Sequence, residues 1–129
     1  MCYTQYSMKI ENMNPLLLAL VGDSYIDLFV RTQIIGPDGD IKPDDVHKMA
    51  TTYVSARAQS IRFLAIREEL NEVESSIANR ARNAKINTSA KNASLAEYRN
   101  ATALEAIVGY NYKVGNIERA NELIWGEQK

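Results

Sequence analysis

The chain has one cysteine and one histidine in 129 residues, and no excess of charge of either sign. Each shortage removes a class of function. Cys2 alone closes no intramolecular disulfide and has no partner at a metal-ligand spacing, a usage that fits a reducing cytosol. His47 lies near no nucleophile-elbow pattern, so Ser–His or Cys–His hydrolysis has no support and a surface or capping role suits it better. A formal net charge of −1 gives no global hint of nucleic acid, so the distribution of charge matters more than its sum. No basic segment followed by an apolar run and a cleavage site opens the chain, and no signal peptide is expected. The longest apolar run, 15 to 30, is broken by Gly22, Asp23 and Asp27, which argues against a membrane span and for a protein with no membrane partner. The length predicts a single domain over 1–129, with the patternless 1–12 a loose tail or short turn, and the cysteine usage with no signal peptide predicts a cytoplasmic protein.

What is present reads as all-α. Asn14-Pro15 is a helix start, Asn as cap and Pro at the first helical position, for a helix running to about Gln33. GPDGDIKP at 36–43 is a turn. It does not match a calcium loop, because the alternating ligand series fails after Asp40. A short helix is expected from Pro43, and another from Thr51 or Thr52 through YVSARAQSIRFLAIREEL, where Val54, Ile61, Leu64 and Ala65 recur at helical spacing. Residues 68–85 suggest a more polar, exposed helix, followed by the loop INTSAKNA. Ser94 with Glu97 is a capping-box pattern that opens SLAEYRNATALEAIVGYNYKV. Gly115 should end that helix and Asn116 cap a last one through Trp125. No run alternates with period two, so no sheet is expected.

Two acids sit in otherwise apolar helices: Asp23 in ALVGDSYIDLFV and Glu105 in ATALEAIVGYNY. Helices apolar all round are core helices, and two of them are natural packing partners. Packed side by side, they bring the carboxylates together, and two such charges in a partly dry site repel unless a cation lies between them. A hard divalent ion such as magnesium suits that donor set, since it takes oxygen ligands and keeps several waters. A second reading makes Gly22-Asp23 a helix break with Asp as cap, and pairs Glu105 with Arg31 or Arg99. Asp27, one turn on from Asp23, fits either a supporting role or a solvent-facing one. The two apolar helices, with Tyr25, Phe29 and Tyr110 at their ends, exceed what so small a domain covers, and a two-fold partner is the commonest remedy.

Between Glu74 and Glu97 there is no acid, while Arg80, Arg82, Lys85 and Lys91 fall in the gap among Asn79, Asn83, Asn87, Thr88, Ser89 and Asn92. Cations with small polar donors suit phosphate and ribose oxygens, and the shortage of aromatics favours backbone reading of a duplex over stacking on single strands. The plain alternative is a solvated helix end whose cations complement the dipole. Arg57 and Lys48 are further cations, neither diagnostic alone. EELNE at 68–72 is similar to the paired-acid motif of helical nucleotide pyrophosphatases, but that family's second acidic pair is missing, so a solvated face is the better account.

Together these segments resemble the ribonuclease III family. ALVGDSYIDLFVR is similar to its signature helix, and ATALEAIVGYNY to its second acidic helix, with Glu105 at the metal-binding glutamate. LALVGD, KPDDVHK, YVSARAQ, RARNAK and YRNATALEAIVGY follow in the order of the family's short form, which lacks a double-stranded RNA-binding domain. Ala19 and Thr102 stand where the long form carries two more acids, and the short form is similarly pared down. The resemblance implies a ribonuclease III-like endonuclease domain, a Mg2+ ion on Asp23 and Glu105 as catalytic residues, and a homodimer whose positively lined valley takes an RNA duplex. It implies one strand cut per subunit, leaving a 5′-phosphate, a 3′-hydroxyl and a short 3′ overhang. The expected substrate is the stem of precursor 23S ribosomal RNA, with a ribosomal protein that presents it left open. Arg57, Arg80, Arg82, Lys85, Lys91, Tyr98 and Arg99 are the expected RNA-backbone contacts. The rival classes are a helical nucleotide hydrolase and a non-catalytic RNA-binding or dimerisation module; the intact acids argue against the second.

Overall fold

A computed structural model describes residues 9–85 and 94–126, all of it helix and connecting turns. After a 3-10 turn at Ile10–Asn12 come α1 (Pro15–Ile35), α2 (Pro43–Val54), α3 (Ala56–Ile66), α4 (Glu72–Asn83), α5 (Leu95–Lys113) and α6 (Ile117–Trp125). The starts of α1, α5 and α6 follow their local signals. Asn14 Oδ1 accepts from the Leu16 N–H at 2.9 Å with Pro15 at the first position, Ser94 and Glu97 form the reciprocal capping box, and Asn116 caps α6. Gly115, at φ 86°, takes the left-handed conformation that turns the chain after α5. Helix α1 runs unbroken through Gly22 and Asp23, which removes the reading of Asp23 as a cap. No helix among the described residues is long and apolar enough to cross a membrane.

Two boundaries differ from the expectation. Thr51 and Thr52 belong to the last turn of α2, where their hydroxyls donate back to the His47 and Met49 carbonyls. Ser55 is the break: its backbone is extended, and its hydroxyl accepts from the Ala58 N–H at 3.1 Å. The helix expected over 68–85 starts at Glu72, after a 3-10 turn at Arg67–Glu69, because Asn71 and Glu74 make a second capping box. That helix is not simply exposed, since Glu74, Ile77, Ala78 and Ala81 are buried.

Helix α5 is the centre of the molecule, packed by α1, α3, α4 and α6. Its small residues Ala103, Ala106 and Gly109 let the neighbours close in around Leu104, Ile107 and Val108. On α3 the buried face is Gln59, Ser60, Phe63 and Ile66, whereas Ile61 and Leu64 point outward at 60% and 54% exposure. The polar members of that face are held by α5, where Asn100 Nδ2 donates to Ser60 Oγ at 3.1 Å. Glu74 is fully buried and held by a fork: Arg119 Nη2 and Nε reach its two oxygens at 2.8 and 3.0 Å, and Asn111 Nδ2 adds a bond at 2.9 Å. Burial alone would raise the Glu74 carboxyl, but the bonds from Arg119 and Asn111 outweigh it and hold it below the usual range. This ion pair ties α4, α5 and α6 together.

Candidate active site

Helices α1 and α5 meet in the most extensive contact of the fold, and at Gly22 they touch backbone to backbone. A Cβ placed on Gly22 would fall 1.7 Å from the Glu105 carbonyl oxygen, so no side chain fits there. The next residue, Asp23, therefore emerges beside Glu105. Asp23 is exposed and Glu105 partly so, which places the pair at the rim of the core rather than inside it. The Glu105 carboxyl is pushed up to about 9, first by burial and then by its hydrogen-bonding and Coulomb contact with Asp23. At neutral pH the pair holds a proton, or needs a cation in its place.

The alternative partners do not take that place. Arg31 Nε bonds Asp27 Oδ1 at 2.9 Å, one turn along α1. Arg99 forms no ion pair with Glu105, and its buried Nε has no hydrogen-bond partner among the described residues. Among the described residues no group of three or more His, Cys, Asp or Glu side chains is placed to hold a metal ion. The donor set is thus two carboxylates, hard oxygen ligands that leave the other positions of a cation to water and substrate oxygens, and it fits a small hard divalent ion. Thr102 is buried one turn before Glu105, its hydroxyl donating to the Tyr98 carbonyl at 2.9 Å, and Ala19 is buried on α1.

The cations of the basic segment are not equivalent. Arg80 donates to the carbonyls of Met13 and Glu11, pinning the approach to α1. Arg82 Nε donates to Asn100 Oδ1 at 2.8 Å and so joins the Asn100–Ser60 bond. Lys85 and Arg57 are exposed, Tyr98 and Arg99 half-exposed at the start of α5, and Lys91 with the loop INTSAKNA lies outside the described residues. Glu68, Glu69 and Glu72 are exposed, as a solvated acidic face requires, and His47 is exposed on α2. The aromatic residues expected to need a partner find one within the chain: the Tyr25 hydroxyl donates to Asn121 Oδ1 at 2.6 Å, Phe29 meets Trp125 edge-on, and Tyr110 packs on the core. The exposed apolar side chains include a stripe on α1, Leu17, Leu20 and Leu28, where Tyr25 and Tyr112 line a groove with Leu20 and Leu28.

Residues 16–116 match the family model described as the Ribonuclease III domain. The chain is 43% identical to Mini-ribonuclease 3 of Clostridium tetani over 115 residues, covering 89% of this chain and 76% of that one. It is 45% identical to Mini-ribonuclease 3 of Brevibacillus brevis over 111 residues, 86% of this chain and 82% of that one. A crystal structure of a Fusobacterium nucleatum protein superposes with a TM-score of 0.81 at 30% identity, covering 92% of this chain and 93% of the other. With Asp23 and Glu105 brought together on its two apolar helices, the chain belongs to the ribonuclease III family and is an endoribonuclease of that type.

Proposed function

We propose that this chain is a magnesium-dependent, homodimeric, cytoplasmic endoribonuclease that cuts double-stranded RNA and matures the stem of precursor 23S ribosomal RNA. The observation that carries the reading is the Asp23–Glu105 pair: two carboxyl groups in contact, one pushed up to about 9, with no basic side chain paired to Glu105 among the described residues. Asp23 and Glu105 would hold the divalent ion that the family uses. When bound, that ion supplies Lewis acidity toward the phosphodiester and lowers the pKa of coordinated water.

The residues' own part is positional and electrostatic. Glu105 is fixed by the backbone contact at Gly22, and Asp23 stands on the water side, where a phosphate can approach. Without a cation the pair repels phosphate. Hydrolysis adds the oxygen of water to phosphorus and releases the 3′-oxygen with a proton, which gives the proposed 5′-phosphate and 3′-hydroxyl; staggered cuts by two subunits give the short 3′ overhang. Arg57, Lys85, Tyr98 and Arg99, with Lys91, are the proposed backbone contacts, while Arg80 and Arg82 fix the flank of that segment and add to its positive field. The α1 stripe, where Leu20 is 66% exposed, is the proposed two-fold contact.

The test is cleavage of an RNA duplex with Mg2+ and with chelator. Asp23→Asn and Glu105→Gln should each lower the rate by about 10³-fold or more while the helical fold and duplex binding persist. Normal cleavage by either variant, or by the native chain in chelator, overturns the reading. Turnover of free nucleotides in preference to duplex would favour the nucleotide-hydrolase alternative.

A further inference from the structure

We propose that Gly109 is a positioning residue for the reaction: its missing side chain sets the gap between the Asp23 and Glu105 carboxylates, and with it the size of cation they hold. The inference rests on the site proposed above. Gly109 lies in α5 one turn beyond Glu105, and a Cβ there would fall 1.9 Å from the Leu18 carbonyl oxygen and 2.9 Å from the Gly22 nitrogen. The glycine beside each acid thus touches the helix that carries the other acid. Neither glycine has a positive φ, so the requirement is for space and not for an unusual backbone. In a helix interior glycine is less favourable than alanine, a cost with no local return at either position.

The atoms in the way are backbone atoms of a helix, which cannot rotate aside. Restoring ordinary contact at 3.4 Å needs about 1.5 Å of movement between α1 and α5. Both carboxylates ride on those helices, so the movement passes directly into their separation. A Mg2+ ion demands ligand distances near 2.0–2.1 Å in a rigid octahedron, whereas Ca2+ accepts 2.3–2.6 Å and a looser shell. Widening the gap therefore penalises Mg2+ more than Ca2+.

The measurement is the affinity of the full chain for Mg2+ and for Ca2+ by titration calorimetry, with melting curves alongside. Gly109→Ala should weaken Mg2+ binding about tenfold and Ca2+ binding by no more than about threefold, and lower kcat on duplex with KM unchanged. Ile107→Val, a fully buried change on the same helix without a backbone clash, should leave the Mg2+ to Ca2+ ratio as in the native chain. Glu105→Asp opens the gap from the side-chain end by one methylene, about 1.5 Å, without touching the helix contact. It should shift the ratio the same way, and it decides the matter where Gly109→Ala does not fold. A folded Gly109→Ala chain with the native ratio overturns the proposal, as does an unshifted ratio in Glu105→Asp when the alanine variant is unfolded. Failure of the native chain to bind either ion would instead sink the site itself, a distinct result.

Discussion

In the metal-free chain Glu105 should make stability fall as pH rises, the reverse of a salt-bridged acid. Its carboxyl stands at about 9 in the fold against an ordinary 4.5. Below about pH 4.5 it is protonated folded and unfolded alike and contributes no pH dependence. Between there and about 9 the unfolded chain releases the proton and the folded chain keeps it, so stability drops by up to about 1.4 kcal/mol per unit; above 9 the loss is complete. From pH 5 to pH 8 the ceiling is about 4 kcal/mol, and the water-exposed Asp23 side screens the pair enough to bring it to about 2 kcal/mol. For a domain of this size that is roughly 6–10 °C in melting temperature. Glu105→Gln keeps the shape and removes the titration. Melting both proteins in chelator at pH 5 and pH 8 should show the native chain losing about 2 kcal/mol relative to the variant. Added Mg2+ should restore the native chain at pH 8 and leave the variant unmoved. Parallel pH curves for the two proteins would refute the contact between the acids.

The buried fork and the surfaces give three further expectations. Arg119→Met leaves Glu74 charged and unpaired in the core and should cost about 3–5 kcal/mol in urea unfolding, far more than loss of the exposed Asp27–Arg31 pair. Leu20→Asp puts a charge in the α1 stripe and should turn a dimer into a monomer by light scattering at micromolar concentration; a native chain that is already a monomer would refute the proposed contact. Arg57→Gln with Lys85→Gln should weaken duplex binding across sequences and reduce its salt slope by about 2, whereas Arg82→Gln should act chiefly by lowering the melting temperature.

Local chemistry was legible wherever one residue announces a helix end. Asn14-Pro15, Ser94 with Glu97, and Gly115 before Asn116 each act within four residues, so sequence alone locates α1, α5 and α6. The break at Ser55 was not, because TTYVSARAQ carries helix-compatible residues on both sides and the stop depends on one hydroxyl reaching the Ala58 N–H. Asn71 and Glu74 were equally short-range, but they stand inside an acidic run, EELNEVE, where a capping acid looks like every other acid. Glu74 shows the remaining gap. Its partner Arg119 is 45 residues away, and nothing local separates a buried forked carboxylate from a solvated one.

The α3 helix shows why periodicity misled there, whereas it anticipated the packing of α1 against α5. Ile61, Leu64 and Ala65 recur at helical spacing and yet face outward, because the inward positions Gln59 and Ser60 are polar and Asn100 from α5 reaches Ser60. A polar side chain becomes a core residue when another element satisfies it, and only the tertiary structure supplies that partner. Asp23 and Glu105 present the opposite case. The apolar character of both helices implies that they pack together, and that packing sets the two acids side by side, at the rim of the core with Asp23 exposed rather than inside it. The tightness of that meeting was the part out of reach. Gly22 and Gly109 are ordinary helix-interior glycines in the sequence, and the close backbone contact they allow is visible only as the 1.7 and 1.9 Å clashes a methyl group would create. In the proposed site the acids specify what is held, and the glycines how closely.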